Sequence, residues 1–568
     1  MNTTTPAVPP RRFWLALGAV MLLALVLRVA PLALKAPWMD EAATMIFSLG
    51  NSSRSVPLNQ LVDLETFLRP LTGSAAADPG AVVKHLLRED NHPPLYYLLA
   101  HGWFHLSQPG GGLASISLSR LLPALLGVAA VPLSYRVGAI ALGSRRGGLL
   151  AALWMALSPL AVAQSLEIRH YSLAILLGTA SLLCLVKTWD LDRRSRALPI
   201  GWLLAWIGIN AAGVATHYFF VFALLMQLVT TAVLLRRNRR CWLALLASLG
   251  AAALWLPLLA SHAGSTQSSW LRVDPSQPGA LLGIPLQALL AALFNAVAPG
   301  TYAVHLWQWP LAIAAGIATL TGLVVLMRLL RHSLRGASTE QQAVRLFAVL
   351  MGSGLAVQIG ISLLMLSDYT KGLRYSFFLV PPSTALLAAL CEQWLGTQGR
   401  ARPVMTLLAC GLICALGVDG GAVLPKWYSA DLLLKRIARE SEQPVVIAYD
   451  NNPVGLKPAV IAHEPLSVAW WAARHPHLLA DLQRSGQPLR LVLAIDGPGL
   501  PGVSRSQAEA AIAAIPTPID LWVIGGNPKS FLNPSCELVA RGSEGSHIFN
   551  HYRCTQNPAQ APALTPRV

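Results

Sequence analysis

Long apolar runs recur along this chain, and short basic clusters separate them. The first extends from Phe13 to Leu34, and a helix needs about 20 apolar residues to cross the hydrocarbon of a bilayer. Comparable runs cover 119–141, 147–166, 171–189, 199–216, 218–236, 241–260, 305–330, 342–367, 374–395 and 404–422, so about eleven spans are expected. With 54% hydrophobic and 12% charged residues in a chain of 568, there are too few polar side chains to cover a soluble globule of that size. The expected fold is a polytopic α-helical membrane protein.

Charge sets its orientation. Basic clusters stand at Arg145 and Arg146, Arg193 to Arg196, Arg236 to Arg240, Arg328 to Arg335, and Arg400 with Arg402. They alternate with loops poor in Lys and Arg that hold Glu167 and His217, so the clusters and the N-terminus behind Arg11 and Arg12 are expected on the cytoplasmic side. The same clusters account for the net charge of +17 without a nucleic-acid partner, which is not expected. The first run lacks a small-x-small cleavage site and is read as a retained anchor, in which Arg28 must snorkel or face protein. Two shorter apolar stretches, 93–106 and 281–297, are read as interfacial or re-entrant, since a crossing at 93–106 would invert every later cluster and one at 281–297 would correct only part of them. An odd number of spans leaves the C-terminus outside.

From about residue 425 the pattern changes. Short apolar segments at Pro444 to Asp450, Leu489 to Asp496, Ile519 to Ile524 and Cys536 to Gly542 read as strands among helices. The expected organisation is a membrane domain over 1–424 with a first outer loop at 35–118, an extracytoplasmic α/β domain over 425–556, and a disordered tail at 557–568. Five cysteines lie in or beside apolar segments, whereas Cys536 and Cys554 lie in the outer region. An oxidising compartment permits a disulfide between those two, with a pair of free thiols as the alternative.

Four groups of polar residues fall on the outer side of this topology. Asp40 and Glu41 follow the first span, where a carboxylate can take a proton from a hydroxyl arriving from water while a lipid stays in the bilayer. The plainer reading is that Asp40 caps a helix Glu41 to Leu49. Next come His92, Pro93, Pro94, Leu95, Tyr96 and Tyr97, with proline suited to a first helical turn and His92 able to bind phosphate or metal or to orient Asp40. A third group is Ser165 to Tyr171, with Glu167, Arg169 and Tyr171, where the alternative is an ion pair between Glu167 and Arg169. The fourth is Asp368 to Tyr375, whose Lys371 and Arg374 can grip a lipid phosphate or simply anchor the interface, beside Tyr375. His217 is a further candidate for the same cavity.

At these residues the sequence resembles the GT-C class of membrane glycosyltransferases, in the superfamily of the protein O-mannosyltransferases and the aminoarabinose transferase for lipid A. The resemblance covers about residues 10 to 400. It rests on Asp40 and Glu41, the run His92-Pro93-Pro94-Leu95-Tyr96-Tyr97, the start of the next span at Ser119-Arg120-Leu121-Leu122-Pro123-Ala124, and Glu167-x-Arg169-x-Tyr171. It implies a polyprenyl-phosphate sugar as donor, Asp40 as catalytic base, and inversion at the anomeric carbon. Glu41 would then position acceptor or base, and Arg169, Tyr171, Lys371, Arg374 and Tyr375 would hold the donor phosphate. His92, Pro93, Tyr96, Glu167 and His217 would support the site, and His92 with Glu167 would be the ligands of any divalent metal. Family members often read Ser-Gln-Glu-Ala-Arg where this chain has Ser165-Leu166-Glu167-Ile168-Arg169. The acceptor, whether protein, lipid or polysaccharide, is not implied. A bacterial-type inner membrane is the expected location.

Two other readings compete. A flippase for lipid-linked saccharides would place its charges near the bilayer midplane in broken helices of repeated halves. A non-catalytic assembly protein would leave the loop carboxylates unexplained.

Overall fold

The computed structural model describes residues 10–261, 270–298, 308–333, 338–398, 401–424, 429–450, 463–483, 487–495, 505–525 and 536–555. The chain divides into two units, one of Met1–Leu34, Asn91–Leu99 and Arg120–Pro425, the other of Lys35–Asp90, Ala100–Ser119 and Lys426–Val568. The expected tail at 557–568 lies outside the described residues.

The first unit is helical. Among the described residues seven helices are long and apolar enough to cross a membrane: Arg11–Val29, Ile116–Leu142, Tyr171–Arg193, Trp309–Arg331, Thr339–Leu364, Leu373–Gly396 and Arg402–Asp419. The pair Arg145–Leu157 and Pro159–Ser165, bent by 55°, makes an eighth if counted as one span. The expected count of about eleven is therefore not met by length and apolarity. Stretches 199–216 and 218–236 form helices Ile200–Thr216 and Phe220–Leu234 of 17 and 15 residues, and 241–260 breaks into Arg239–Ala253 and Leu256–Ser261. Apolar composition runs on through the turn residues, so hydropathy alone overstates where a helix continues. The two stretches read as non-crossing form helices Leu95–Ser107 and Pro278–Leu293.

Buried polar side chains join these helices. Ser181 donates to Asn210 Oδ1 at 2.7 Å and accepts from Gln227 Nε2 at 2.9 Å and Trp206 Nε1 at 3.0 Å, while Asn210 Nδ2 donates to Ser248 at 3.0 Å. Four helices thus share one network, each such bond contributing on the order of 0.6 kcal/mol in lipid. Arg28 faces protein. Its guanidinium donates to the carbonyls of Met155 at 2.9 Å and Ala156 at 3.0 Å and to Ser165 Oγ at 3.2 Å. Those carbonyls lie in the last turn of the helix Arg145–Leu157, where Pro159 has no amide to give and the Leu160 amide goes to the Phe294 carbonyl, so a buried cation stabilises the bend at Ser158.

Gly127 leaves room for this arrangement, since a Cβ there would lie 2.2 Å from Ser165 Oγ and 3.0 Å from Arg28 Nε. We expect Gly127→Ala to lower stability by about 1–3 kcal/mol through overpacking, read as a lower unfolding temperature in detergent.

The second unit holds a six-stranded sheet. Its strands are β1 (Val62–Asp63), β4 (Val445–Asp450), β5 (Arg490–Ala494), β6 (Ile519–Gly525), β7 (Cys536–Glu544) and β8 (His547–Cys554); a separate pair comprises β2 (Thr72–Gly73) and β3 (Gly112–Leu113). The sheet order is β1-β5-β4-β6-β8-β7, with β5, β4 and β6 parallel and the other pairings antiparallel. Every residue of β4 is buried, as a strand covered on both faces requires, which is why it reads as an unbroken apolar run. Through β1 and helices such as Met39–Ser48, residues of 35–118 belong to the same unit as the sheet rather than to the membrane helices.

Strand β8 had no such signal. Its sequence HIFNHYRC mixes apolar and polar residues, and it is held by pairing on both sides. The turn from β7 uses Gly545 and Ser546, both at positive φ (53° and 67°), the backbone that a two-residue hairpin of matching twist needs. Cys536 and Cys554 face each other in this register and are joined by a disulfide.

Candidate active site

In the first unit, four separate segments bring cationic and aromatic groups together. His92 precedes Pro93 and Pro94, which send the chain into the helix Leu95–Ser107, where Tyr96 and Tyr97 are buried. Arg169 and His170 close the turn after Pro159–Ser165 and begin the helix Tyr171–Arg193. His217 ends the helix Ile200–Thr216. Arg374 and Tyr375 stand in the 3-10 turn Leu373–Leu379.

The three histidines form a triangle, with ring centroids 5.2 Å apart for His92 and His170, 4.5 Å for His170 and His217, and 6.1 Å for His92 and His217. Arg169 Nη2 lies 3.3 Å from His92 Nε2. A guanidinium can only donate, so that nitrogen accepts and the His92 ring proton sits on Nδ1. Arg169 lies 5.8 Å above the Tyr171 ring and Arg374 5.2 Å above the Tyr375 ring, with His217 6.3 Å from Tyr375. His92, Arg374 and Tyr375 are half-buried, and Arg169, His170, Tyr171 and His217 are buried behind them.

Burial and neighbouring cations hold His170 and His217 well below the usual imidazole range. His217 Nδ1 accepts from the Phe219 amide at 2.9 Å, which leaves its proton on Nε2. Both ring nitrogens of His170 are buried without a hydrogen bond among the described residues. The cluster therefore offers two permanent guanidinium charges, neutral imidazoles able to donate, and the N-terminus of the helix Tyr171–Arg193, a combination suited to phosphate oxygens.

His170 falls within the group Ser165 to Tyr171 that the sequence marks out, but the sequence assigns it no role of its own beside Arg169 and Tyr171. The available signal was a second ionisable residue at a span boundary. Pro93 is buried beside His92, and Glu167 is half-buried in the Arg169 turn, its carbonyl accepting from the Arg169 amide at 2.7 Å. Lys371 is engaged differently from the expected phosphate grip: it is exposed, and its ammonium donates to the Trp270 carbonyl at 2.9 Å. Among the described residues no group of three or more His, Cys, Asp or Glu is arranged to hold a metal ion, so the pairing of His92 with Glu167 as metal ligands gains no support.

In the second unit, Asp40 and Glu41 open the helix Met39–Ser48. That helix starts two residues earlier than expected, with Trp38 as its N-cap, so Asp40 is inside the first turn and is not the cap. Glu41 takes the capping task, as its fully buried carboxylate accepts from the Trp38 amide at 3.2 Å. Asp40 is half-exposed and its carbonyl accepts from Thr44 Oγ1 at 2.7 Å. The adjacent carboxylates thus differ: Glu41 is fully buried and committed to the start of the helix, and Asp40 is half-exposed.

No protein-family model matches the sequence, and comparison with curated proteins returns no match. Among solved structures the chain is similar to the Cupriavidus metallidurans ArnT bound to undecaprenyl phosphate, at 13% identity and a TM-score of 0.46, over 98% of this chain and 100% of that one. It is also similar to the Archaeoglobus fulgidus oligosaccharyltransferase AglB in complex with an inhibitory peptide and a dolichol-phosphate, at 12% identity and a TM-score of 0.44, over 81% of this chain and 64% of that one. At such identities and scores the likeness assigns no activity.

Proposed function

We propose that this chain is an integral membrane glycosyltransferase that moves a sugar from a polyprenyl-phosphate donor to an acceptor hydroxyl on the extracytoplasmic face. The observation that carries the reading is the convergence of Arg169 and Arg374 with His92, His170 and His217 beside a helix N-terminus. In this reading the donor phosphate lies against the half-buried side of that cluster, and the lipid chain stays in the bilayer. Asp40 takes the proton of the acceptor hydroxyl, whose oxygen attacks the sugar C1 from the face opposite the phosphate. The C1–O bond to the phosphate breaks, the anomeric configuration inverts, and the polyprenyl phosphate leaves with an added negative charge. Arg169 and Arg374 stabilise that charge more in the transition state than in the bound donor. Glu41 acts through the helix, by fixing where Asp40 stands.

The resemblance read from the motifs supplies the donor class, and the acceptor is protein, lipid or polysaccharide. A bacterial-type inner membrane with the C-terminal domain outside completes the reading.

The test is transfer from a panel of radiolabelled polyprenyl-phosphate sugars in membranes containing the protein. Label moved across the bilayer with no glycosylated product would favour the flippase. Arg169→Ala is expected to lower kcat/KM about 10²-fold, with Arg169→Lys recovering only part because a single ammonium lacks the fork geometry. Turnover of Arg169→Ala at the parent rate would remove the cluster from the donor site.

A further inference from the structure

The helices Trp309–Ser333 and Arg402–Asp419 pack antiparallel. Thr319 Oγ1 lies 3.8 Å from Cys414 Sγ, and a Cβ on Gly322 would meet Cys410 at 3.4 Å and Leu407 at 3.6 Å, so the partner number falls as the first helix advances. Continued further, this register brings the last turns of the first helix beside the first turn of the second. There the two helices part around an open cavity of about 560 Å³, walled by Leu320, Val324, Val325 and Pro403 and flanked by Arg328 and Arg402. No acidic side chain lines it.

We propose that this cavity binds an anionic phospholipid, its phosphodiester held by Arg328 and Arg402 and the upper part of an acyl chain lying against Leu320 and Val324. The surrounding surface is one that lipid must cover, since Leu320 is 69% exposed, Met327 50% and Met405 60%, all on these two helices. Arg328 sits within a helix apolar enough to cross a membrane, five residues before its end at Ser333, where a charge is costly unless it meets a counter-charge or reaches the headgroups. Both arginine side chains are exposed, and neither forms an ion pair among the described residues. Two guanidinium forks around one phosphate give the planar, paired donors that phosphate oxygens accept best. A zwitterionic lipid would bring a choline cation to the same place, so charge decides the occupant. The basic residues here belong to the clusters that orient the chain, which assigns the lipid to the cytoplasmic leaflet.

The full-length protein in nanodiscs of equimolar phosphatidylglycerol and phosphatidylcholine with identical acyl chains, released into native mass spectrometry, tests this. Phosphatidylglycerol is expected to remain bound in roughly tenfold or greater preference, and the Arg328→Gln/Arg402→Gln protein to lose that preference. Val324→Trp fills the cavity without altering charge and is expected to reduce lipid retention as well, which decides the matter should the double variant fail to fold. Sugar transfer is expected to survive in all of these proteins. Equal retention of the two lipids by the parent, an unchanged preference in the folded double variant, or unchanged lipid retention by Val324→Trp overturns the proposal. So does complete displacement of phosphatidylglycerol by millimolar inorganic phosphate, which would mark a site for the free anion.

Discussion

Asp40→Asn is expected to reduce sugar transfer by about 10²–10⁴-fold while leaving the unfolding temperature near that of the parent. The amide keeps the shape of the carboxylate but cannot take a proton, and Asp40 is half-exposed inside a helical turn that Glu41 secures. Glu41→Gln gives the contrast. Its carboxylate is buried and accepts from the Trp38 amide, so the change weakens a cap and is expected to lower stability by about 0.5–2 kcal/mol, with activity falling only as far as Asp40 shifts. Turnover and thermal unfolding measured on both proteins separate these roles. Asp40→Asn working at the parent rate would withdraw Asp40 from the mechanism.

Asp520→Ala is expected to destabilise the sheet of the second unit by about 3–5 kcal/mol, since removing one partner strands the others in a dry interior. The Asp520 carboxylate is fully buried in β6. It accepts from the Glu442 amide at 2.6 Å, the Gln443 amide at 2.8 Å, His551 Nε2 at 2.9 Å and Arg553 Nε at 3.3 Å. Burial by itself pushes the carboxyl up, but the bonds from His551 and the two amides outweigh it and hold the group below its ordinary value. Between those two values the unfolded chain binds more protons than the folded one, so stability rises with pH. This contribution is complete above the ordinary carboxylate value of about 3.9 and is lost as pH falls through the lower folded value. Asp520→Asn should therefore be less stable at neutral pH and show a flatter acid limb. Hydrogen exchange of the β6 and β8 amides, measured across pH in the full-length protein, follows the transition where Trp522 stacks on His551 with centroids 4.2 Å apart. An acid limb as steep as that of the parent would shift the pH dependence to another carboxylate.

The sequence carried the parts of this protein that depend on runs and periods. Strands β4, β5 and β6 each coincide with an apolar segment of the sequence, because parallel strands covered on both faces must be apolar throughout; the edge strand β7 coincides with one as well, although it pairs antiparallel and is largely exposed. Strand β8 was not legible, for its HIFNHYRC sequence gains strand structure from its neighbours on both sides. The same limit governed the helices. The break at Ser158 is held by Arg28 from a helix more than a hundred residues earlier, a contact with no local trace.

For the candidate site the division is similar. The sequence by itself determined that the chain has the apolar helices of a multi-pass membrane protein, that basic clusters separate them, and which loops between them concentrate ionisable residues, because insertion energy depends on local composition. Only the tertiary structure decided which of those residues meet. It drew His92, Arg169, His170, His217 and Arg374 into one cluster, set Lys371 on the Trp270 carbonyl, and gave the cap to Glu41 rather than Asp40. Convergence of four chain segments follows from how helices pack and where they bend, and those depend on contacts across long sequence separations that no window along the chain contains.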